Sequence, residues 1–286
     1  MRAPTFMVSM TLVLGIALLV SCAPSQTEAP PPSVVEALAA GNYSLVDLSH
    51  PYYEGAPEFV APPGLGQGVL FKKIEIARWD ERGANTWYWN WYQMTEHAGT
   101  HTDAPNHWFS GKDKESIDEI PIDRLVAPAV VVDVKAKAVA DPDYTLSVDD
   151  LEAWEQAHGE IPAGAIVVMN SGWGDKYSDL QAFLGLDEAG GLHFPGFSPD
   201  AARWLLENRD INALASDSLA TDALGVSMGT DPPHQVHIEM HRAGKYQIEM
   251  IANLDALPAA GAWLVVAPIK FQGGGGAGSR IFGILP

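Results

Sequence analysis

Eleven residues, His97-Ala98-Gly99-Thr100-His101-Thr102-Asp103-Ala104-Pro105-Asn106-His107, constrain this chain more than any other stretch. They set three imidazoles and one carboxylate around two structure breakers, Gly99 and Pro105. Three more histidines, His234, His237 and His241, crowd into a second short stretch, so six of the nine in the chain lie in two places. Imidazole together with carboxylate is the donor set that zinc and manganese take. Any fold for this chain therefore has to hold an irregular, ligand-rich segment against its core.

His97 and His101 are four apart, a spacing that puts two side chains on one helix face. Gly99 and Pro105 argue against a full helix, so a single turn or loop is expected to present them. Asp103 completes His-x3-His-x-Asp, and three ligands leave open positions on an ion, the layout of a catalytic site and not of a closed structural one. His107 would close such a site as a fourth ligand, or serve it as a base with a near-neutral pKa. The second role is preferred here. The stretch Thr86–Met94 is the most aromatic in the chain. At period two, Trp87, Trp89 and Trp91 share one face, and Tyr88, Asn90, Tyr92 and Met94 the other. Such a strand is expected to be sandwiched in the core or at a subunit interface. Because it runs straight into His97, Trp87, Trp89 and Trp91 are also candidates to wall a substrate pocket.

With 47% apolar residues, 286 residues can bury a substantial core. Seventeen basic residues against 36 acidic ones exclude the basic footprint of nucleic-acid binding, and adhesion to anionic lipid by charge. The acidic excess reads as a solvated surface. The single cysteine, Cys22, rules out an intrachain disulfide. It follows a positive start at Arg2 and an apolar run, Phe6 to Val20, of signal-peptide length. Leu19-Val20-Ser21-Cys22 resembles the bacterial lipoprotein signal, which implies cleavage before Cys22 and lipid on its thiol. The expected organisation is a signal peptide at 1–21, a lipidated Pro-rich tether at 22–35 and one domain at 36–286. Ala23, where an aspartate would favour inner-membrane retention, points to the outer membrane of a Gram-negative bacterium, facing the periplasm.

Expected strands are Tyr43–Leu48, Val69–Arg78, Ala129–Val134, Ala165–Met169, Ile211–Ala215, Lys245–Ile251 and Trp263–Pro268. Expected helices are Ser147–His158, with a Ser147/Asp150 capping box, and Ser198–Asn208. The Gly-rich run Gly273–Gly278 lacks the Lys-Ser/Thr of a phosphate loop. These elements read as one α/β domain with a mixed sheet.

The 97–107 stretch resembles the cyclase family of metal-dependent hydrolases. Its signature, His-x-Gly-Thr-His-x-Asp-x-Pro-x-His, is matched at every fixed position. His237 and Glu249, twelve apart and followed by Asn253-Leu254, look like the family's downstream pair. Asn170-Ser171-Gly172-Trp173 resembles its Thr-Gly-Trp strand end, with Asn-Ser replacing the usual residues, and the Gly-rich run with Arg280 also fits. The resemblance covers residues 43–286. It implies a single compact α/β domain of the swivelling β/β/α type, dimeric or larger, with one or two zinc or manganese ions per chain. It makes His97, His101 and Asp103 primary ligands, with Asp103 bridging to a second ion held by His237 and Glu249, and makes His107 the base or proton shuttle. His234 and His241 match no fixed position, and His241 is expected at the surface or behind the ligands. The family includes bacterial kynurenine formamidase and isatin hydrolase, which cleave an amide C–N bond beside an aromatic ring. A small aromatic amide is thus the expected substrate, cleaved by metal-activated water. An exported chain favours a cyclic, isatin-like amide over cytoplasmic N-formylkynurenine. The alternatives are a periplasmic metal-binding protein without turnover and a dehydrating cyclase.

Overall fold

The computed structural model describes residues 34–58, 70–79 and 87–286. The signal peptide, Cys22 and nearly all of the expected tether lie outside these. Among the described residues no helix is long and apolar enough to cross a membrane.

Helix α1 (Val34–Ala40) starts within the last two residues expected as tether. Strand β1 (Ser44–Asp47) follows, then β2 (Lys72–Ala77) and β3 (Trp89–Gln93). The signature itself contains β4 (His101–Asp103). Next come β5 (Val126–Asp133), α2 (Lys135–Ala140), β6 (Thr145–Leu146), α3 (Val148–His158) and β7 (Ala165–Asn170). They lead to α4 (Leu180–Leu184), β8 (Gly196–Phe197), α5 (Pro199–Asn208) and β9 (Ile211–Ser216). The last part holds α6 (Leu224–Ser227), α7 (Gln235–Arg242), β10 (Tyr246–Glu249), β11 (Trp263–Pro268) and β12 (Gly276–Leu285).

Eight strands form one mixed sheet in the order β1-β12-β11-β5-β7-β9-β10-β4, and β4 also pairs with β12. That extra pairing closes the sheet into a barrel, with β1 outside the ring. Parallel pairs β5/β7, β7/β9 and β9/β10 require crossovers, and helices supply them. Both expected helices form where the sequence places them: Ser147 and Asp150 make the reciprocal capping box of α3, and Ser198 caps α5.

Alternation along the central strands separates two cores. Ala129, Val131, Ile166, Val168, Tyr246, Ile248, Leu264, Val266 and Ile281 pack together inside the barrel. Val130, Val132, Val167, Met169 and Leu214 face outward onto Leu151, Trp154, Ala201, Leu205, Val236 and Met240 of the helices. Strands apolar on both faces read as continuous hydrophobic runs, which is why the sequence marks β5 and β7 so clearly.

The aromatic strand is a correction. Among the described residues β3 pairs only with β2, as a separate two-stranded ribbon. Trp87, Trp89 and Trp91 are 58%, 55% and 51% exposed, so within one chain they are not sandwiched. β2, expected to be half-buried, is mostly exposed as well.

Candidate metal centre

The middle of the signature is a short strand, β4, set between the loop that carries His97 and the 3-10 turn that carries His107. His101 and Asp103 lie two apart on β4 and so share a face. The antiparallel neighbour β10 puts Glu249 directly opposite His101. The other neighbour, β12, puts Gly278 opposite His101 and Gly276 opposite Asp103. The absent side chain at Gly276 leaves room for His97, and that at Gly278 for Tyr52 and Met94. A Cβ at Gly276 would lie 2.7 Å from His97 Cε1. His97 enters from the preceding loop, its Nδ1 2.6 Å from Asp103 Oδ1. His107 sits on the 3-10 turn Pro105–His107, its ring 4.1 Å from that of His97.

The downstream pair arrives by a route not read from sequence. His237 and His241 lie one turn apart on α7, a helix absent from the expected elements. His237 Nε2 is 3.4 Å from Asp103 Oδ2 and 3.3 Å from Glu249 Oε1. His101 Nε2 is 3.2 Å from Asp103 Oδ1 and 3.4 Å from Glu249 Oε2. Two carboxylates therefore span two imidazoles, with His97 on the Oδ1 side of Asp103 and the His107 ring beside His97. His97, Asp103 and His107 could hold an ion together, as could His101, Asp103 and Glu249. Asp222, His234 and His237 form a third such group.

Whether the donors suit a metal is decided at His101. Its Nδ1–H donates to Gly99 O at 2.8 Å, which points the Nε2 lone pair at the carboxylates. Nε2 is buried and has no hydrogen-bond partner. An orphaned ring nitrogen beside two buried carboxylates fits a divalent cation. Electrostatics agree. Burial alone would push the His101 pKa down, yet Asp103 and Glu249 raise it to about 10, so these carboxylates favour a cation at Nε2, which a proton or a metal ion can supply. Asp103 is held well below the usual carboxylate range: burial opposes this, but His97, His107 and His101 outweigh it. His107 goes the other way, since burial lowers it to about 4 and leaves its imidazole neutral.

His241 is not at the surface. It is completely buried, its ring 5.5 Å from His237 and 5.7 Å from His107. Gln247 Nε2 lies 3.1 Å from its Nε2. Trp87, Trp89 and Trp91 make no ring contact with the histidines among the described residues. The aromatic ring at the cluster is Trp108, immediately after the signature, 5.7, 5.1 and 5.3 Å from the rings of His107, His234 and His237. Its adjacency to His107 was the signal available in sequence. The Asn170-Ser171-Gly172-Trp173 stretch braces a different loop, where Ser171 Oγ–H donates to buried Asp217 and Trp173 Nε1–H to Phe183 O. Arg280 pairs with Asp47 at the surface. Gly225-Val226-Ser227-Met228-Gly229 spells a nucleophile-elbow pattern, against the expectation that the sequence holds none. Ser227 ends helix α6, however, and its Oγ accepts from the His234 backbone N–H, so it is not poised as a nucleophile.

Comparison with known proteins shows the family of the chain. The family model described as "Putative cyclase" matches residues 46–223. Isatin hydrolase of Roseibium aggregatum is 38% identical over 253 residues, 87% of this chain and 94% of that protein. This chain belongs to the cyclase family. Isatin hydrolase A from Ralstonia solanacearum superposes with a TM-score of 0.83 at 37% identity, covering 91% of this chain and all of that one. Kynurenine formamidase of Salinibacter ruber is 26% identical over 189 residues, 66% of this chain and 76% of that protein. The cyclase-family barrel is the fold expected from the signature. Its chemistry is that of a metal-dependent hydrolase acting on carbon–nitrogen bonds other than peptide bonds.

Proposed function

We propose that this chain hydrolyses the amide bond of a small cyclic aromatic amide, an isatin-like lactam, with an aryl formamide as the second substrate class. The observation that carries the reading is the orphaned His101 Nε2 between Asp103 and Glu249, in a chain that spans 94% of an isatin hydrolase. His97, His101 and Asp103 would hold a divalent ion, zinc or manganese, and His237 and Glu249 would join Asp103 in holding a second if two are bound. Such an ion acidifies bound water toward neutral pH and polarises the substrate carbonyl. His107, kept neutral by burial, has a free lone pair to take a proton and return it to the leaving nitrogen. Trp108, whose ring lies beside those of His107, His234 and His237, would pack against an aromatic substrate. The product carries one added water, a carboxylate replacing the amide.

The test is incubation of the metal-replete protein with isatin and with N-formylkynurenine, followed by mass spectrometry. Gain of one water supports hydrolysis, and loss of one water would instead reveal a dehydrating cyclase. Bound metal with no turnover on a panel of aryl and cyclic amides would leave a metal-binding protein. We further propose export as a lipoprotein anchored at Cys22, facing the periplasm. Labelled palmitate should enter the wild-type chain and not Cys22→Ser. A homodimer or larger assembly is also proposed, covering the β2–β3 ribbon. An isolated two-stranded ribbon is marginal in water, and Ile74, Ile76, Trp79, Trp89 and Trp91 are exposed on this one. Light scattering that finds only monomer would remove this part of the reading.

A further inference from the structure

Two consecutive residues of the loop after β9 touch the two downstream ligands. Thr221 N–H donates to Glu249 Oε1 at 2.8 Å, and Thr221 Oγ1 lies 3.4 Å from the same oxygen and 2.5 Å from Gln247 Oε1. Asp222 Oδ2 accepts from the His237 backbone N–H at 3.0 Å and lies 2.6 Å from His237 Nδ1. Asp222 Oδ1 accepts from Val236 N–H at 3.1 Å. Both residues are buried, Asp222 at 2% exposure and Thr221 at zero.

We propose that Thr221-Asp222 is a positioning clamp that sets Glu249 and His237 in their ligating geometry, resting on the reading of those two as metal ligands. One carboxylate does two things. It satisfies the free amides in the first turn of α7, which fixes where the helix begins. It also takes the Nδ1 proton of His237, which fixes the ring tautomer and turns the Nε2 lone pair toward Asp103 and Glu249. His234, just before α7, holds a left-handed backbone (φ +59°), a strained conformation for a histidine, and its N–H is tied to Ser227 Oγ. The start of this helix is thus fixed from two sides. Meanwhile the Thr221 N–H holds Glu249 Oε1, leaving Oε2 to face His101.

The test reads metal binding, not turnover. Zn2+ affinity is measured on the full chain by competition with a chromophoric chelator, for wild type, Asp222→Asn, Thr221→Val and His237→Ala. In Asp222→Asn one orientation of the amide sets its NH2 against the Val236 N–H, and the other sets it against both the His237 N–H and Nδ1–H, where a switch of the His237 tautomer to Nε2–H relieves only the ring contact. Affinity is expected to fall about 10- to 100-fold, toward His237→Ala, with the circular dichroism spectrum kept. Thr221→Val, which keeps the backbone donor, should lose less. In Zn2+-loaded wild type, 15N spectra of the histidine rings should show His237 protonated at Nδ1. This wild-type measurement decides the matter if Asp222→Asn fails to fold. Unchanged Zn2+ affinity in both variants, or a His237 ring protonated at Nε2, would overturn the proposal. The hydrolase reading stands or falls separately, on product mass.

Discussion

His107 and Gly276 show what single residues do at this centre. His107 lies beside Asp103 with a neutral ring, so it can act either as proton carrier or as ligand. His107→Ala separates the two. Zn2+ affinity should stay at the wild-type value while kcat falls about 10²- to 10⁴-fold. Loss of the metal itself would make His107 a ligand. Gly276 has the opposite character, since its contribution is the absence of a side chain. A methyl group there would meet the His97 ring at 2.7 Å and the Thr102 carbonyl at 3.0 Å, and the backbone carbonyl cannot give way. Gly276→Ala should displace His97 and weaken Zn2+ binding by at least about tenfold, read by the same chelator competition. Gly276 lies in a run that the sequence marks only as Gly-rich. Its purpose becomes visible once β12 is known to pair with β4.

At the scale of elements, legibility followed locality. The α3 capping box, the α5 cap and the buried strands β5 and β7 were readable, because each depends on neighbours in sequence. The eleven-residue signature and the pair His237 and Glu249 were readable through resemblance. The helix α7 was not, although it carries His237 and His241 on one face, because it is short and its polar face is buried against the site. Nor was the clamp Thr221-Asp222, since nothing local distinguishes that aspartate from the chain's many others. Only the core half of the aromatic-strand expectation failed, for a physical reason: hydrophobic pattern reports that a surface wants covering, not whether the cover comes from the same chain. A second tertiary device joins the loop after α4 to the turn before β6. His193 Nδ1 sits 2.6 Å from Asp143 Oδ2 and its Nε2 3.3 Å from Asp187 Oδ2. Asp143 first, then Asp187, raises the His193 pKa above 6.5, against a small opposing effect of burial. A raised pKa in the folded state stabilises below the unfolded value and loses that contribution as pH climbs through the folded one. His193→Gln should therefore lower Tm at about pH 6 and have little effect at about pH 9, a difference that differential scanning fluorimetry can follow.

Across the whole molecule, the ion and the fold are linked. Zn2+ that binds the folded chain and not the unfolded one stabilises by about 2.7 kcal/mol at a free concentration of 100 Kd, so Tm should rise with Zn2+ and fall with chelator. A Tm indifferent to both would mean that no ion is bound at this centre. Truncation in the inner core, such as Ile166→Ala, should cost about 2–5 kcal/mol in denaturant titration with metal present or absent.

The three-residue strand β4 has a consequence in time. It is hydrogen-bonded on one side to β10 and on the other to β12, each well over a hundred residues further along the chain. Such pairings are among the slowest to form, because a long loop must be closed before they repay it. The ligands on β4 are thus expected to meet those on β10 late in folding, when the ring closes. An ion that recognises this finished arrangement should leave the refolding rate alone and act almost wholly on the escape rate. In stopped-flow experiments Zn2+ should lower the unfolding limb of the chevron and leave the folding limb where it was, so that the metal works as a latch on a door already shut.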